Sequence, residues 1–371
     1  IALRQILEVT NYFLNFLLKY ASRMSVETVL GPIASSKLGK VLTHEHFSIK
    51  YDRFNIKAPE VVKSYLDQPI SMGNLGFVRQ YPYSCPHNVT FNDEDSNAAV
   101  MKDVSLFKQF GGGTIVENSC HGLHRDLKLL KKVSLETGVH VIVGTGFYVK
   151  YAQSDSTLRM KTEEIHDVIY QEINSGCVDD NTIKCGFIGE VGSSWPISDF
   201  EKRVIVATAQ VQAALKCPVT FHPDRNPKAP FEIIRIFLEA GGKVDKTVMS
   251  HLDRTLHINE DLMEFAALKT YCQFDLFGNE CSFYQLAPEQ DMPSDGQRIN
   301  KVMALIEEGR GDRILLSHDI HTKHRLVSFG GHGYAHILNN VVPKMKIRGI
   351  SQKMIDNILM ENPKQWLEMP N

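Results

Sequence analysis

The sequence predicts an α/β fold, a closed (β/α)8 TIM barrel, and three observations carry that prediction. Eight short apolar runs recur, at residues 41–46, 114–118, 139–144, 185–191, 219–222, 247–251, 270–275 and 313–317. Amphipathic stretches of helical period lie between them, at 125–137, 163–175, 200–216, 231–240, 258–268 and 298–308. Several of the runs close on histidine, glutamate or aspartate. Alternation of strand and helix favours a parallel sheet. Eight such repeats favour a closed barrel over an open, doubly wound sheet.

Length and composition fit. The chain has 371 residues, enough for one barrel with insertions, and 43% of them are hydrophobic, as in a soluble protein with a core. The formal net charge is −2 and no basic run stands out, so nothing points to nucleic acid or an anionic membrane as partner. A small-molecule substrate is the expectation that remains. The seven cysteines include no CxxC pair and lie mostly in apolar runs, which reads as reduced, buried thiols in a cytoplasmic protein. One glycosylation triplet, Asn88-Val89-Thr90, is present and means nothing in that compartment.

The elements follow in chain order. In residues 1–23, Leu3, Ile6, Leu7, Phe13, Leu14, Leu17 and Leu18 recur at helical spacing. Asn15 and Lys19 break the run too early for a bilayer span, so stable membrane insertion is not expected. Met24 would serve as a natural start, and 1–23 reads as an extension, helical or foreign to the native product. Residues 24–371 read as a single barrel domain. The long segment 51–110 holds Pro59, Pro69, Pro82 and Pro86 and reads as an insertion over the barrel mouth. Glycines at 111–113, 138, 241–242 and 309–311 read as helix C-caps. They form no phosphate loop, since no GK[ST] follows.

The strand ends carry the chemistry. The first run holds Thr43-His44-Glu45-His46, and side chains two apart on a strand face the same way. His44 and His46 can thus reach one metal, although an HxH pair alone also suits surface or core histidines. The fourth run closes on Glu190, a carboxylate that needs a partner if buried: a cation, or a Lys or Arg elsewhere. His222, His251 and Asp319 close the fifth, sixth and eighth runs. Barrel active sites lie at the C-terminal strand ends, so all six converge on one mouth. Imidazole and carboxylate donors suit zinc, and also manganese, cobalt or iron. Two divalent ions bridged by a carboxylate would hold a hydroxide between them at neutral pH, and Asp319 could accept its proton.

Leu42-Thr43-His44-Glu45-His46, Thr114-Ile115-Val116-Glu117, Gly189-Glu190-Val191-Gly192, Phe221-His222-Pro223, Ser250-His251 and Ser317-His318-Asp319 together resemble the amidohydrolase superfamily. Within it they resemble the phosphotriesterase family, on the animal phosphotriesterase-related branch, over nearly all of residues 24–371. The resemblance implies that His44, His46 and Asp319 hold a more buried ion. It implies that His222 and His251 hold a more exposed one, with position 190 bridging the two. Two divalent metals per chain, zinc foremost, are then the expected cofactors. Many members of the family bridge with a carbamylated lysine; glutamate here weighs against bacterial-type phosphotriesterase activity. The branch implies hydrolysis of N-acylated small amines, N-acetyltaurine above all, with Asp319 as proton carrier. Tyr148 matches a tyrosine that lactonase relatives place at the mouth, where it polarises a carbonyl; packing is its other reading.

Arg225 and Arg254 follow metal-site histidines closely and suit a sulfonate or carboxylate; each also suits a surface ion pair. His121 and His124 follow the second run and either line the mouth or stand solvated in a loop. His318 and His321 flank Asp319 and suit an orienting role. Asp275 either faces the pocket or caps a helix. Two rivals stand beside the amide-hydrolase reading: a lactonase or phosphotriesterase on the same site, and a barrel kept for binding alone. A homodimer is expected by analogy with relatives of the fold.

Overall fold

The computed structural model describes residues 24–50 and 54–370, so the expectation for residues 1–23 lies outside the described residues. Eight parallel strands form one sheet: β1 (Lys40–Glu45), β2 (Gly112–Glu117), β3 (His140–Thr145), β4 (Phe187–Gly192), β5 (Val219–His222), β6 (Thr247–Met249), β7 (Tyr271–Phe274) and β8 (Ile314–Leu316). Their order around the sheet is their order in the chain. No backbone ladder joins β8 to β1. Instead Thr43 Oγ1 donates to Leu316 O at 3.2 Å, His44 N donates to Ser317 Oγ at 2.9 Å and Asp319 N donates to His44 O at 3.1 Å. The sheet thus closes nearly into the predicted barrel.

Helices α1 (Glu94–Gln109), α2 (Leu127–Thr137), α3 (Thr162–Asn174), α4 (Asp199–Leu215), α5 (Ala229–Glu239), α6 (Asn259–Ala266), α7 (Asp295–Glu307) and α8 (Val342–Ile347) follow the strands in turn. Helices α4 and α7 start on capping boxes: Ser198 and Ser294 accept from the backbone N–H groups of Glu201 and Gln297, and each box is closed by the third residue. Gly111, Gly138, Gly241 and Gly309 have positive φ. At Gly138, the left-handed cap that ends α2, φ is 66°.

Three expectations need correction. The segment 51–110 is not all insertion, because α1 is the barrel helix between β1 and β2. Its buried face includes Ser96 and Asp103 beside Val100, Val104 and Phe107, which blurs the helical stripe. Strand β6 stops at Met249, leaving Ser250 and His251 in the turn beyond it, with His251 at φ 58°. The eighth strand stops at Leu316.

The remainder of the insertion, residues 54–93, does fold over the mouth, where Tyr83 Oη lies 3.0 Å from His321 Nε2. Asn88 is fully buried and its amide donates to Pro82 O, so the glycosylation triplet is closed to modification in the folded chain. The cysteines carry no disulfide, and six of the seven are buried.

The floor of the barrel is apolar. Val41, Val116, Ile142, Phe187, Val248, Tyr271 and Leu315 pack together with Val26, Trp366 and Leu367. Met24–Thr28 pairs antiparallel with Gly31–Ala34 and with Met369–Pro370, bringing both ends of the described chain beneath the strands. The polar strand-end residues at the top therefore stand on a dry base. Trp366 is fully buried and stacks edge-on to Phe187 at 5.8 Å. Trp366→Ala is expected to lower stability by about 3–5 kcal/mol, measured by denaturant unfolding of metal-loaded protein.

Candidate metal centre and substrate cavity

The six strand-end residues meet above the floor. Glu190 stands at the centre. Its Oε2 lies 2.7 Å from His222 Nδ1, 3.5 Å from His44 Nε2 and 3.5 Å from His251 Nε2. Its Oε1 lies 3.4 Å from His46 Nε2. Asp319 Oδ1 lies 3.2 Å from His46 Nε2 and 3.7 Å from His44 Nε2. His222 presents Nδ1 inward, whereas the other three histidines present Nε2. All six residues are less than a tenth exposed.

The backbone delivers these groups at some cost. His251 and Asp319 occupy the left-handed region, at φ 58° and 53°, where a residue with a Cβ is uncommon and strained. Gly189, before Glu190, has φ 151°, and a Cβ there would fall 2.2 Å from Thr220 Cγ2. Only glycine lets β4 lie this close to β5 and carry Glu190 inward.

A second ring of polar groups fixes the first. His251 Nδ1 meets Asp275 Oδ1 at 2.7 Å, and His44 Nδ1 faces Asp275 Oδ2 at 3.3 Å. Asp275 therefore faces the cluster, and the helix-cap alternative falls. His46 Nδ1 meets Ser119 Oγ at 3.0 Å, and that hydroxyl donates to Glu117 at 2.6 Å. Glu45 accepts from Ser317 Oγ, His318 N, His318 Nδ1 and Ile320 N, all within 3.0 Å, and so clamps the segment that carries Asp319. His318 thus serves Glu45, while His321 Nδ1 lies 3.2 Å from Asp319 Oδ2. Glu45 and Glu117 were not singled out from the sequence, although both sit within motifs quoted above.

The donor set fits divalent cations. The ligand atoms of His44, Glu190 and His251 lie within 4.8 Å of one another, and so do those of His44, His46 and Asp319. His44 Nε2 is buried with no hydrogen-bond partner, as suits an atom whose lone pair serves a metal. Burial works against charge at His46, yet the carboxylates of Asp319 and Glu190 lift it to about 10. Burial likewise opposes charge at His251, yet Asp275 and Glu190 lift it to about 9. Burial pushes His222 down to about 3. Burial also opposes charge at Glu190, but the surrounding histidines hold it well below the usual carboxylate range. The cluster thus draws positive charge to itself, which cations would supply. A third acidic group, Glu172, Cys177 and Asp179, is filled by Arg125, which pairs with both carboxylates.

A small cavity opens above the cluster. Tyr148, Arg225 and Arg254 line it, as does Asp319. Tyr148 Oη lies 3.4 Å from His222 Nε2, and Arg254 Nη2 lies 3.4 Å from the same atom. Arg225 donates from Nε to Tyr284 Oη at 2.9 Å. His121 does not reach the cavity. Its Nε2 pairs with Glu172 at 3.1 Å and its ring stacks on Phe147, so the substrate-binding expectation for it is corrected. Tyr83, Tyr284 and Arg325 also line the cavity, from loops that sequence periodicity does not register. Among the described residues no helix is long and apolar enough to cross a membrane.

Fold and site together define a metal-dependent hydrolase of the barrel type. A model of the Phosphotriesterase family matches residues 24–367, and the chain belongs to that family. It is 54% identical to the phosphotriesterase-related protein of Aedes aegypti, over 93% of this chain and 99% of that protein. It is 51% identical to the N-acetyltaurine hydrolase of Rattus norvegicus, over 92% and 97%. Among solved structures it is similar to a resiniferatoxin-binding protein from Rhodobacter sphaeroides, with a TM-score of 0.88 and 29% identity over 92% and 94%.

Two outcomes are expected. Asp275→Asn weakens the hold on His251 and His44 and lowers metal affinity roughly 10–100-fold, read by competition with a chromogenic chelator. His46 and His251, raised to about 10 and about 9, are protonated at neutral pH before they ligate. Loading therefore releases protons, and apparent affinity climbs with pH until those values are passed. Calorimetric titrations in two buffers of different ionisation enthalpy measure the release.

Proposed function

We propose that the chain is a binuclear hydrolase of the cytoplasm that cleaves the amide bond of N-acylated small amines, with N-acetyltaurine as its leading substrate. The observation that carries this reading is the join between cluster and cavity. Two overlapping ligand groups share His44, and Arg225 and Arg254 line the cavity that also holds His46, Glu190, His222 and Asp319. The relative named N-acetyltaurine hydrolase, aligned over 92% of this chain, supplies the substrate to try first.

His44, His46 and Asp319 would hold one cation, His222 and His251 the other, with Glu190 between them. Zinc suits these donors. When bound, the cations polarise the scissile carbonyl and make hydroxide available at neutral pH. Tyr148, on the cavity wall, donates its hydroxyl hydrogen to the carbonyl oxygen. Asp319 takes one proton from the attacking water and passes it to the departing nitrogen as the C–N bond breaks and the C–O bond forms. Amide and water thus become a carboxylic acid and a free amine. Arg225 and Arg254 add charged donors to the wall that faces the acidic substrate.

Asp319→Asn is expected to cut turnover of N-acetyltaurine at least 1,000-fold, of the order seen when an essential proton carrier is lost, while metal content by mass spectrometry largely persists. Near-normal turnover would refute the role. Faster hydrolysis of an acyl-lactone or a phosphotriester than of N-acetyltaurine would reassign the substrate. Metal-loaded protein inert toward amides, lactones and esters alike would leave a binding barrel.

A further inference from the structure

The cavity holds a third guanidinium, which the mechanism above does not use. Arg325 ends the short turn Lys323–Arg325 after β8 and is 4% exposed. Its Nη1 donates to the Asp319 carbonyl oxygen at 2.7 Å and lies 3.4 Å from His321 Nδ1. Its Nε is buried without an acceptor. Among the described residues no carboxylate pairs with it. A guanidinium shut away from water in this way is costly until an anion meets its remaining N–H groups.

The other two arginines are placed differently. Arg225 is engaged by Tyr284, with its Nε on the hydroxyl and its guanidinium 5.5 Å above the ring. Arg254 donates to Pro223 O at 3.2 Å and stands beside His222. Arg325 stands behind Asp319, the residue that delivers a proton to the leaving nitrogen. What Arg325 binds therefore belongs to the amine half of the substrate. Leu276, Leu286 and Met292 in the same cavity offer an apolar wall to a short aliphatic linker.

We infer that Arg325 is the specificity-determining residue that reads an acid on the amine half, so that the enzyme selects N-acyl amines ending in a sulfonate or carboxylate over neutral ones. This rests on the amide-hydrolase reading and deepens it. Bound by this guanidinium and its neighbours, the acid fixes the amide nitrogen against Asp319, and a neutral amine gains no such hold.

The test uses metal-loaded wild type, Arg325→Met and Arg325→Lys, with metal content measured for each. The substrates are N-acetyltaurine, N-acetyl-β-alanine and the neutral N-propylacetamide. The preference for acid over neutral substrate, as a ratio of kcat/KM, is expected to collapse about 100-fold in Arg325→Met, chiefly through KM, and to recover in part in Arg325→Lys. The two acids separate a sulfonate site from a carboxylate site. In parallel, taurine is expected to raise the Tm of wild type and not of Arg325→Met. An equal loss on acidic and neutral substrates, with metal retained, would overturn the inference and leave Arg325 as a support for Asp319. If wild type hydrolyses no amide, the functional reading fails by itself. The taurine-dependent Tm shift then decides the anion site: its loss in Arg325→Met upholds it, and no shift in wild type overturns it.

Discussion

Glu190 is a carboxylate buried at the centre of the barrel mouth, and the architecture around it answers the problem of keeping it charged there. Removing such a group from water costs several kcal/mol even after the protein relaxes. Imidazoles delivered by three other strand ends bring nitrogen atoms within 3.5 Å of its two oxygens. Those imidazoles are in turn oriented by Asp275 and Ser119, and Asp319 is held by the clamp on Glu45. The left-handed turns at His251 and Asp319 belong to the same solution, since both residues must leave their strands early to face inward. The stability to tolerate these strained, charged positions comes from the dry apolar floor and the buried helix faces.

The six cluster residues were legible because each closes an apolar run, and in a barrel such ends share one mouth. Period-two alternation also explains what was missed. Glu45 lies between His44 and His46, so the reasoning that turned the histidines toward one side turned Glu45 to the other. There it grips the start of the β8 loop instead of a cation. Glu117 does the equivalent for the turn after β1, accepting from Phe47 N at 3.1 Å. Nearness in sequence to a strand end says nothing about direction, and His121 is the example: it follows β2 closely yet turns to Glu172.

The cavity wall was the least legible part. Tyr83 comes from the insertion after β1, Tyr284 from the long loop after β7, and Arg325 from the turn after β8. No periodicity links such positions, because loops are placed by the tertiary contacts that anchor them. Tyr83 is held by its hydrogen bond to His321, and Arg325 by the carbonyl of Asp319. Helix α1 was hidden for a different reason. Buried Ser96 and Asp103 interrupt its apolar stripe, and each has a structural partner, in the Asp93 cap and at Val327 N respectively.

The pairing of Met24–Thr28 with Met369–Pro370 has a topological consequence. The two ends of the described chain lie side by side under the strands, and the strand order above them is cyclic. A short linker across that gap would turn the domain into a ring. A ring of this kind can be opened at an exposed loop elsewhere without moving any strand from its neighbours. Circular permutants cut between a helix and the strand that follows it would keep the mouth whole, since the cluster residues leave the opposite ends of the strands. The numbering of the eight βα units is then a matter of where translation starts, while the centre they build depends only on which strands stand next to one another.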